Sequence, residues 1–374
     1  MNITILGTGF AALTAITQVR KLAPHANITV IAPTDEIIYL PSLIWIPSGL
    51  RKGDDLRINL QNFFNRQKVK YIQGHVQNIT QGGRTVITDQ GEYHNDGLII
   101  ATGGRFIKKL PGIEHIITPC EGIAAAEKIK QKLDQMTSGT IAIGFGGNPK
   151  EPSAMRGGPM FEFLFGIDTL LRRRGIRDNF KLIFFNPAPK PGKRLGDKVP
   201  DAVLKMMTKK GIETHLGHKM KGFETNKVIT EGGEISADLI LFMPGMTGPA
   251  WAAQSELPLS EGGLIKANEY CQVEGLENTY VAGDSGSFPG PEWQAKQAHA
   301  ADLQATKAAE NLIKSLNGQT DLSPFKHELI CIIDTLSHGV LIKRTETGTT
   351  MLPPCRLMHF AKRIFEGLYL RKYR

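Results

Sequence analysis

The chain has 374 residues, a formal net charge of +9, 41% hydrophobic and 22% charged residues, and 40 glycines. That length exceeds one ordinary core and suits two domains with room for a large cofactor, and the balance is that of a globular, turn-rich protein rather than a disordered or fibrous one. Four dispersed cysteines without CxxC or Cys/His ligand spacing argue against a zinc site and a small disulfide scaffold, no apolar run reaches the roughly 18 residues of a spanning helix, and the positive charge calls for an anionic partner.

The run Asn2 to Leu6 reads as a buried strand, Gly7-Thr8-Gly9-Phe10-Ala11-Ala12 as a glycine turn into a helix towards Leu22, and Ile28-Thr29-Val30-Ile31 as a second strand. In this βαβ setting Gly7 permits the tight turn, Gly9 lets a pyrophosphate approach backbone N–H groups at the helix N-terminus, and Ala12 keeps helix and sheet close. An ordinary strand-to-helix turn is the alternative. After the second strand, where an acidic residue usually holds the adenosine ribose, the sequence reads Ala32-Pro33-Thr34. Asp35 and Glu36 come late, so ribose recognition falls to backbone or to Thr34. A strand starting this early leaves no charged leader ahead of it, and the chain reads as unexported.

Two further runs place small residues at a strand end, where backbone must approach a ligand: Gly97-Leu98-Ile99-Ile100-Ala101-Thr102-Gly103-Gly104, and Thr279-Tyr280-Val281-Ala282-Gly283-Asp284 with a carboxylate able to accept a ribityl hydroxyl. Between them Thr140 to Ile143 is a strand and Phe161 to Arg174 an amphipathic helix. The basic run Arg172-Arg173-Arg174 reads as complementing that helix's C-terminal dipole rather than as a nucleic-acid contact. Lys181 to Phe185 and Leu239 to Phe242 are the next strands.

The order GxGxxA, ATGG, a middle Rossmann-like unit and AGD resembles the flavoprotein disulfide reductase superfamily over nearly the whole chain. Within it, Tyr39-Leu40-Pro41-Ser42 with Trp45 and Gly49 to Lys52, Arg156 to Glu162, and Gly290 to Gln297 look like sulfide:quinone oxidoreductases. The resemblance implies an α/β protein with two Rossmann-like dinucleotide-binding domains: an FAD domain from residues 1–115 and 245–320, a second from 116–244, and a C-terminal quinone and membrane-interface region at 321–374. By the same resemblance Gly7, Gly9 and Ala12 hold the FAD diphosphate, Thr102 and Gly103 the adenosine side, and Gly283 with Asp284 the ribityl chain. Lys296 lies near the pyrimidine end of the isoalloxazine, where a cation eases reduction, unless it is a solvated helix lysine. The middle turn Gly144-Phe145-Gly146-Gly147-Asn148-Pro149 puts a proline where a nicotinamide-dinucleotide turn wants its third glycine, which disfavours NAD(P)H.

The resembled family uses three cysteines. Cys120 matches the first and Cys331 the third; the place of the second is taken by Met155 or Arg156. Cys120 and Cys331 would then act as a pair, or Cys331 with a free polysulfide, unless Cys331 is an inert strand cysteine. Cys271 and Cys355 read as bystanders. Glu162, on the first turn of the middle helix, is the candidate proton handler or simply an N-terminal carboxylate. His299 either serves the quinone or is a satisfied helix histidine.

From Leu357 onwards Leu357, Phe360, Ala361, Ile364, Phe365 and Leu368 share a helical face, and Lys362, Arg363 and Glu366 lie away from it. This reads as a helix in a lipid interface with Tyr369 and Tyr373 at headgroup depth and Arg371, Lys372 and Arg374 drawn to anionic lipid; docking on its own core or a homo-oligomer contact is the alternative. The expectation is a peripheral enzyme on the cytoplasmic side of the inner membrane, oxidising sulfide and reducing membrane quinone through FAD, without metal or nucleic acid. A type II NADH:quinone oxidoreductase and a non-catalytic flavin-binding redox sensor are the alternatives.

Overall fold

The computed structural model describes residues 1–374. In chain order the elements that build the site are β1 (Asn2–Leu6), α1 (Phe10–Leu22), β2 (Asn27–Ala32), β3 (Val69–Gln73), β4 (Gly97–Ile100), α2 (Ile123–Gln135), β5 (Gly139–Phe145), α3 (Gly158–Arg173), β6 (Phe180–Asn186), α4 (Val199–Lys209), β7 (Ile212–Leu216), β8 (Leu239–Met243), β9 (Thr279–Val281), α5 (Ala298–Leu316), β10 (Glu328–Asp334), β11 (Gly339–Thr345), β12 (Gly348–Met351) and α6 (Arg356–Arg371).

Two parallel sheets carry the fold, in the orders β9-β4-β1-β2-β3 and β7-β6-β5-β8. Their central strands are apolar without alternation, as strands covered on both faces require: Ile3, Ile5, Leu6, Leu98, Ile99 and Ile100 are all almost fully buried. Both Rossmann-like units read from the sequence are present, and the first sheet is completed by a strand from late in the chain, β9 against β4. A third, antiparallel sheet β10-β11-β12 follows, and α6 packs its inner side on it and on the first sheet's domain through Tyr369, Leu370 and Tyr373.

Helix α3 starts at Gly158, earlier than the expected Phe161, because Pro159 in the first turn costs no intrahelical hydrogen bond and fixes a helical φ. The basic run at its end is engaged within the fold. Arg172, Arg177 and Lys210 converge on the fully buried Asp168, Arg174 pairs with Asp134, and Arg173 donates to the Leu336 carbonyl. No helix is long and apolar enough to cross a membrane.

Candidate functional site

The three glycine motifs meet at the C-terminal ends of three adjacent strands of the first sheet, β1, β4 and β9. Gly7 has φ +108°, and a Cβ there would lie 2.4 Å from the Ala101 carbonyl oxygen, so only glycine fits between the two strand ends. A Cβ at Gly283 would come within 3.2 Å of Ala11 on α1, and one at Gly104 within 3.1 Å of the Asp284 carbonyl. Ser285 Oγ donates to the Gly103 carbonyl at 2.9 Å and lies 3.4 Å from Thr102 Oγ1. At Gly9 and Gly103 a Cβ would meet nothing within 4 Å. Helix α1 is capped by Gly9 with no side-chain hydrogen bond and no acid in its first turn, leaving its N-terminal N–H groups for an anion. Ala12 is fully buried and keeps α1 on the sheet. This cradle fits a dinucleotide diphosphate.

Thr34 is exposed just beyond β2, while Asp35 accepts from Asn59 and Gln61 and Glu36 pairs with Arg57. Both acids are thus committed away from a ribose. A cleft beside the cradle is lined by Gly283, Asp284, Lys296, Gln297, Ala301 and Gln304. Lys296 is no solvated helix lysine. It precedes α5, is 7% exposed, donates to the Gly286 carbonyl, and burial brings its ammonium down to about 8. Asp284 pairs with Arg156, one of the two residues expected in place of a second cysteine.

All four cysteines are free thiols. A Cβ at Gly158 would lie 3.8 Å from Cys331 Sγ, so this sulfur faces the first turn of α3. Burial pushes the Cys331 thiol up to about 12, with the Glu162 charge adding to it and Lys362 opposing. Cys120, buried ahead of α2, is likewise pushed up to about 12 by burial, under the same Glu162 and Lys362 and beside Arg156. The two thiols therefore share one pair of charges.

Glu162 lies one turn into α3, not at its N-terminus, and is 6% exposed. Its Oε1 accepts from Lys362 Nζ on α6 and from the Asp334 N–H at 2.8 Å. Burial outweighs these bonds and pushes its carboxyl up to about 7. Lys362 also donates to the Ile332 carbonyl at 3.2 Å, and its ammonium sits 5.7 Å from the Trp45 ring centroid. His299 is a half-buried surface partner of Glu328 at 2.8 Å.

The orientation of α6 inverts the usual pattern. His359, Lys362, Glu366 and Tyr369 point inward to Asp334, Glu162, Arg51 and Asp302, while Leu357, Phe360, Ile364, Phe365 and Leu368 are 51 to 68% exposed. The apolar face expected from the sequence is the outer one. Tyr369 and Tyr373, expected at headgroup depth, are instead buried against Phe10, Tyr39 and Phe63, because their rings complete that aromatic cluster. The inward charges of α6 could not be assigned from the sequence, since their partners lie up to 324 residues away.

The family model for pyridine nucleotide-disulphide oxidoreductases matches residues 1–157 and 165–305. The sulfide-quinone reductase of Aquifex aeolicus is 23% identical over 406 residues, covering 100% of this chain and 91% of that protein. The type II NADH:quinone oxidoreductase of Staphylococcus saprophyticus is 24% identical over 342 residues, covering 85% and 83%. The crystal structure of the Aquifex aeolicus sulfide:quinone oxidoreductase superposes with a TM-score of 0.91 at 22% identity, over 100% of this chain and 91% of that one.

Proposed function

The chain belongs to the pyridine nucleotide-disulphide oxidoreductase family and is an FAD-dependent oxidoreductase, and from that premise we propose that it oxidises sulfide and reduces a membrane quinone. The observation that carries this reading is the placement of the Cys331 sulfur at the first turn of α3, under the same Glu162–Lys362 pair that acts on Cys120. Bound FAD supplies the two-electron relay between donor and acceptor. Gly7, Gly9 and Ala12 hold its diphosphate, Thr34 its ribose, Thr102 and Gly103 its adenosine side, Gly283 and Asp284 its ribityl chain, and Lys296 its pyrimidine end.

At the donor side the Cys331 thiol and hydrogen sulfide join through a new S–S bond into a persulfide, releasing two electrons and two protons; Cys120 is the second thiol of the site. A thiol held this high needs a base, and Glu162, whose carboxyl burial raises to about 7, takes its proton. The electrons leave for the quinone, which takes them with two protons as quinol. An NADH donor is disfavoured by the middle unit. There β5 ends at Phe145 and α3 begins only at Gly158, while the Asn148 side chain ties the intervening loop to the Met246 and Gly262 carbonyls. No helix N-terminus follows the strand where a pyrophosphate would need one.

The outward apolar face of α6, with Arg356, Arg371, Lys372 and Arg374 exposed around it, supports peripheral attachment to an anionic lipid surface. The test is anaerobic: the FAD-loaded protein is mixed with sulfide or with NADH, the flavin band near about 450 nm is followed, and a soluble quinone is then added. Bleaching by sulfide and recovery with quinone is the expected result. Bleaching by NADH alone overturns the donor, and no recovery overturns the acceptor.

A further inference from the structure

A buried acid–imidazole pair lies beside Glu162 without a part in the steps above. His359, on the inner face of α6, is 6% exposed, and its Nδ1 lies 2.7 Å from Oδ2 of Asp334, a carboxylate 1% exposed at the end of β10. The other Asp334 oxygen accepts from Trp45 Nε1 at 3.3 Å and from the Leu336 N–H at 2.7 Å, so the carboxylate is held on both sides. With Asp334 as acceptor, Nδ1 donates and Nε2 is left for a second partner.

The imidazole stands edge-on to the Trp45 ring at 6.2 Å and 75°, and the Lys362 ammonium lies 5.7 Å from the same ring. Two proton-holding pairs, His359–Asp334 and Glu162–Lys362, therefore flank one indole, joined by the hydrogen bond from the Asp334 N–H to Glu162. The charged groups facing this indole are Asp334 from β10, Glu162 from α3, Lys362 from α6, and Arg51, whose guanidinium sits 5.3 Å from the ring and pairs with Glu366. His359 is followed by Phe360, which is exposed on the apolar face. The dyad thus lies on the inner side of the helix whose outer apolar face a lipid-dissolved acceptor would meet.

Quinone reduction needs one proton for each oxygen, and the steps above name no donor for either. We propose that His359, positioned by Asp334, delivers one: its Nε2–H bond breaks as an O–H bond forms on one quinone oxygen, the second oxygen takes its proton from water, two electrons come from the flavin, and the imidazole reloads from water. This rests on the quinone reading above. Asp334 holds the imidazole in one orientation, as a carboxylate behind a catalytic imidazole does generally.

The bound flavin is reduced photochemically, so that no sulfur donor enters, and its reoxidation by a soluble short-chain quinone is followed across pH, with ferricyanide as an acceptor that takes no protons. His359→Gln, which can still donate to Asp334, is expected to slow quinone reoxidation by at least about tenfold and to flatten its pH dependence, with ferricyanide reoxidation unchanged. Added imidazole is expected to restore part of the quinone rate to His359→Ala. Unchanged rate and pH profile in His359→Gln overturn the proposal, as does equal slowing with both acceptors without imidazole rescue, the mark of a structural role. Wild-type protein that ferricyanide reoxidises and quinone does not overturns the quinone reading itself, and this inference with it.

Discussion

The Lys362 ammonium on the C-terminal helix is hydrogen-bonded to the Glu162 carboxylate on α3, 200 residues earlier, and both side chains are largely buried. The last helix therefore contributes a buried partner to the candidate site. Replacing Lys362 by Met leaves Glu162 buried without its cation. The stability loss is expected to be largest, about 3 kcal/mol, above the Glu162 pKa of about 7 and smaller near pH 5, where the carboxyl is already neutral in the native protein. Thermal unfolding at the two pH values checks this; equal losses would show that the pair is not ionised.

Gly7 and Gly9 belong to one motif but fail differently. Gly7→Ala places a Cβ 2.4 Å from the Ala101 oxygen at φ +108°, so the domain is expected to lose several kcal/mol, of order 3, or not to fold. Gly9→Ala enters open space and is expected to fold with a near-native melting temperature while losing bound flavin. Circular dichroism and the flavin content of purified protein separate the two.

Cys331→Ser is expected to abolish flavin reduction by sulfide and to leave FAD bound, since the thiol faces α3 and not the glycine cradle. Stopped-flow bleaching reads the first and absorbance of the purified protein the second. Undiminished bleaching would remove Cys331 from the chemistry.

The double change Ile364→Glu and Phe365→Glu alters two side chains that are 62% and 59% exposed. Co-sedimentation with anionic phospholipid vesicles is expected to fall by at least about tenfold, with an unchanged melting temperature, and wild-type binding is expected to weaken as salt is raised. Retained vesicle binding by the variant would place the lipid contact elsewhere.

Asp302 fastens α6 to the first domain, accepting from Thr14 Oγ1 at 2.6 Å and from the Tyr369 hydroxyl at 3.3 Å. Burial raises its carboxyl from 3.8 to about 6. The folded state therefore holds a proton that the unfolded chain has released, and this group's contribution to stability declines as pH rises between those values. In Asp302→Asn that decline is expected to vanish, as read from melting temperatures between pH 4 and pH 7; an unchanged slope would assign it to other groups.

Much of the first domain was legible because its signals are local. Gly7, Gly103 and Gly283 each sit at a strand end where backbone meets backbone or ligand, and short apolar runs such as Ile3 to Leu6 report burial on both faces without knowledge of their neighbours. The absence of a helix start behind Gly146 was equally local, written in Pro149 and Pro152. The periodicity of the last helix also grouped Leu357, Phe360, Ile364, Phe365 and Leu368 on one face and set Lys362 and Glu366 away from it, though it misplaced Tyr369 and Tyr373.

Which of those faces meets the protein was not local. Helical spacing fixes that Leu357, Phe360, Ile364 and Leu368 lie together, but the choice of inner face depends on what awaits it. Here Glu162, Asp334, Arg51 and Asp302, contributed by four separate segments, offer buried charges that only His359, Lys362, Glu366 and Tyr369 can satisfy. A buried charge left unpaired costs several kcal/mol, more than the roughly 2 kcal/mol gained by covering one large apolar side chain. So the sequence by itself determined the dinucleotide cradle and the amphipathic tail. The tertiary structure alone decided that the tail's charges complete the site and its apolar face looks outward.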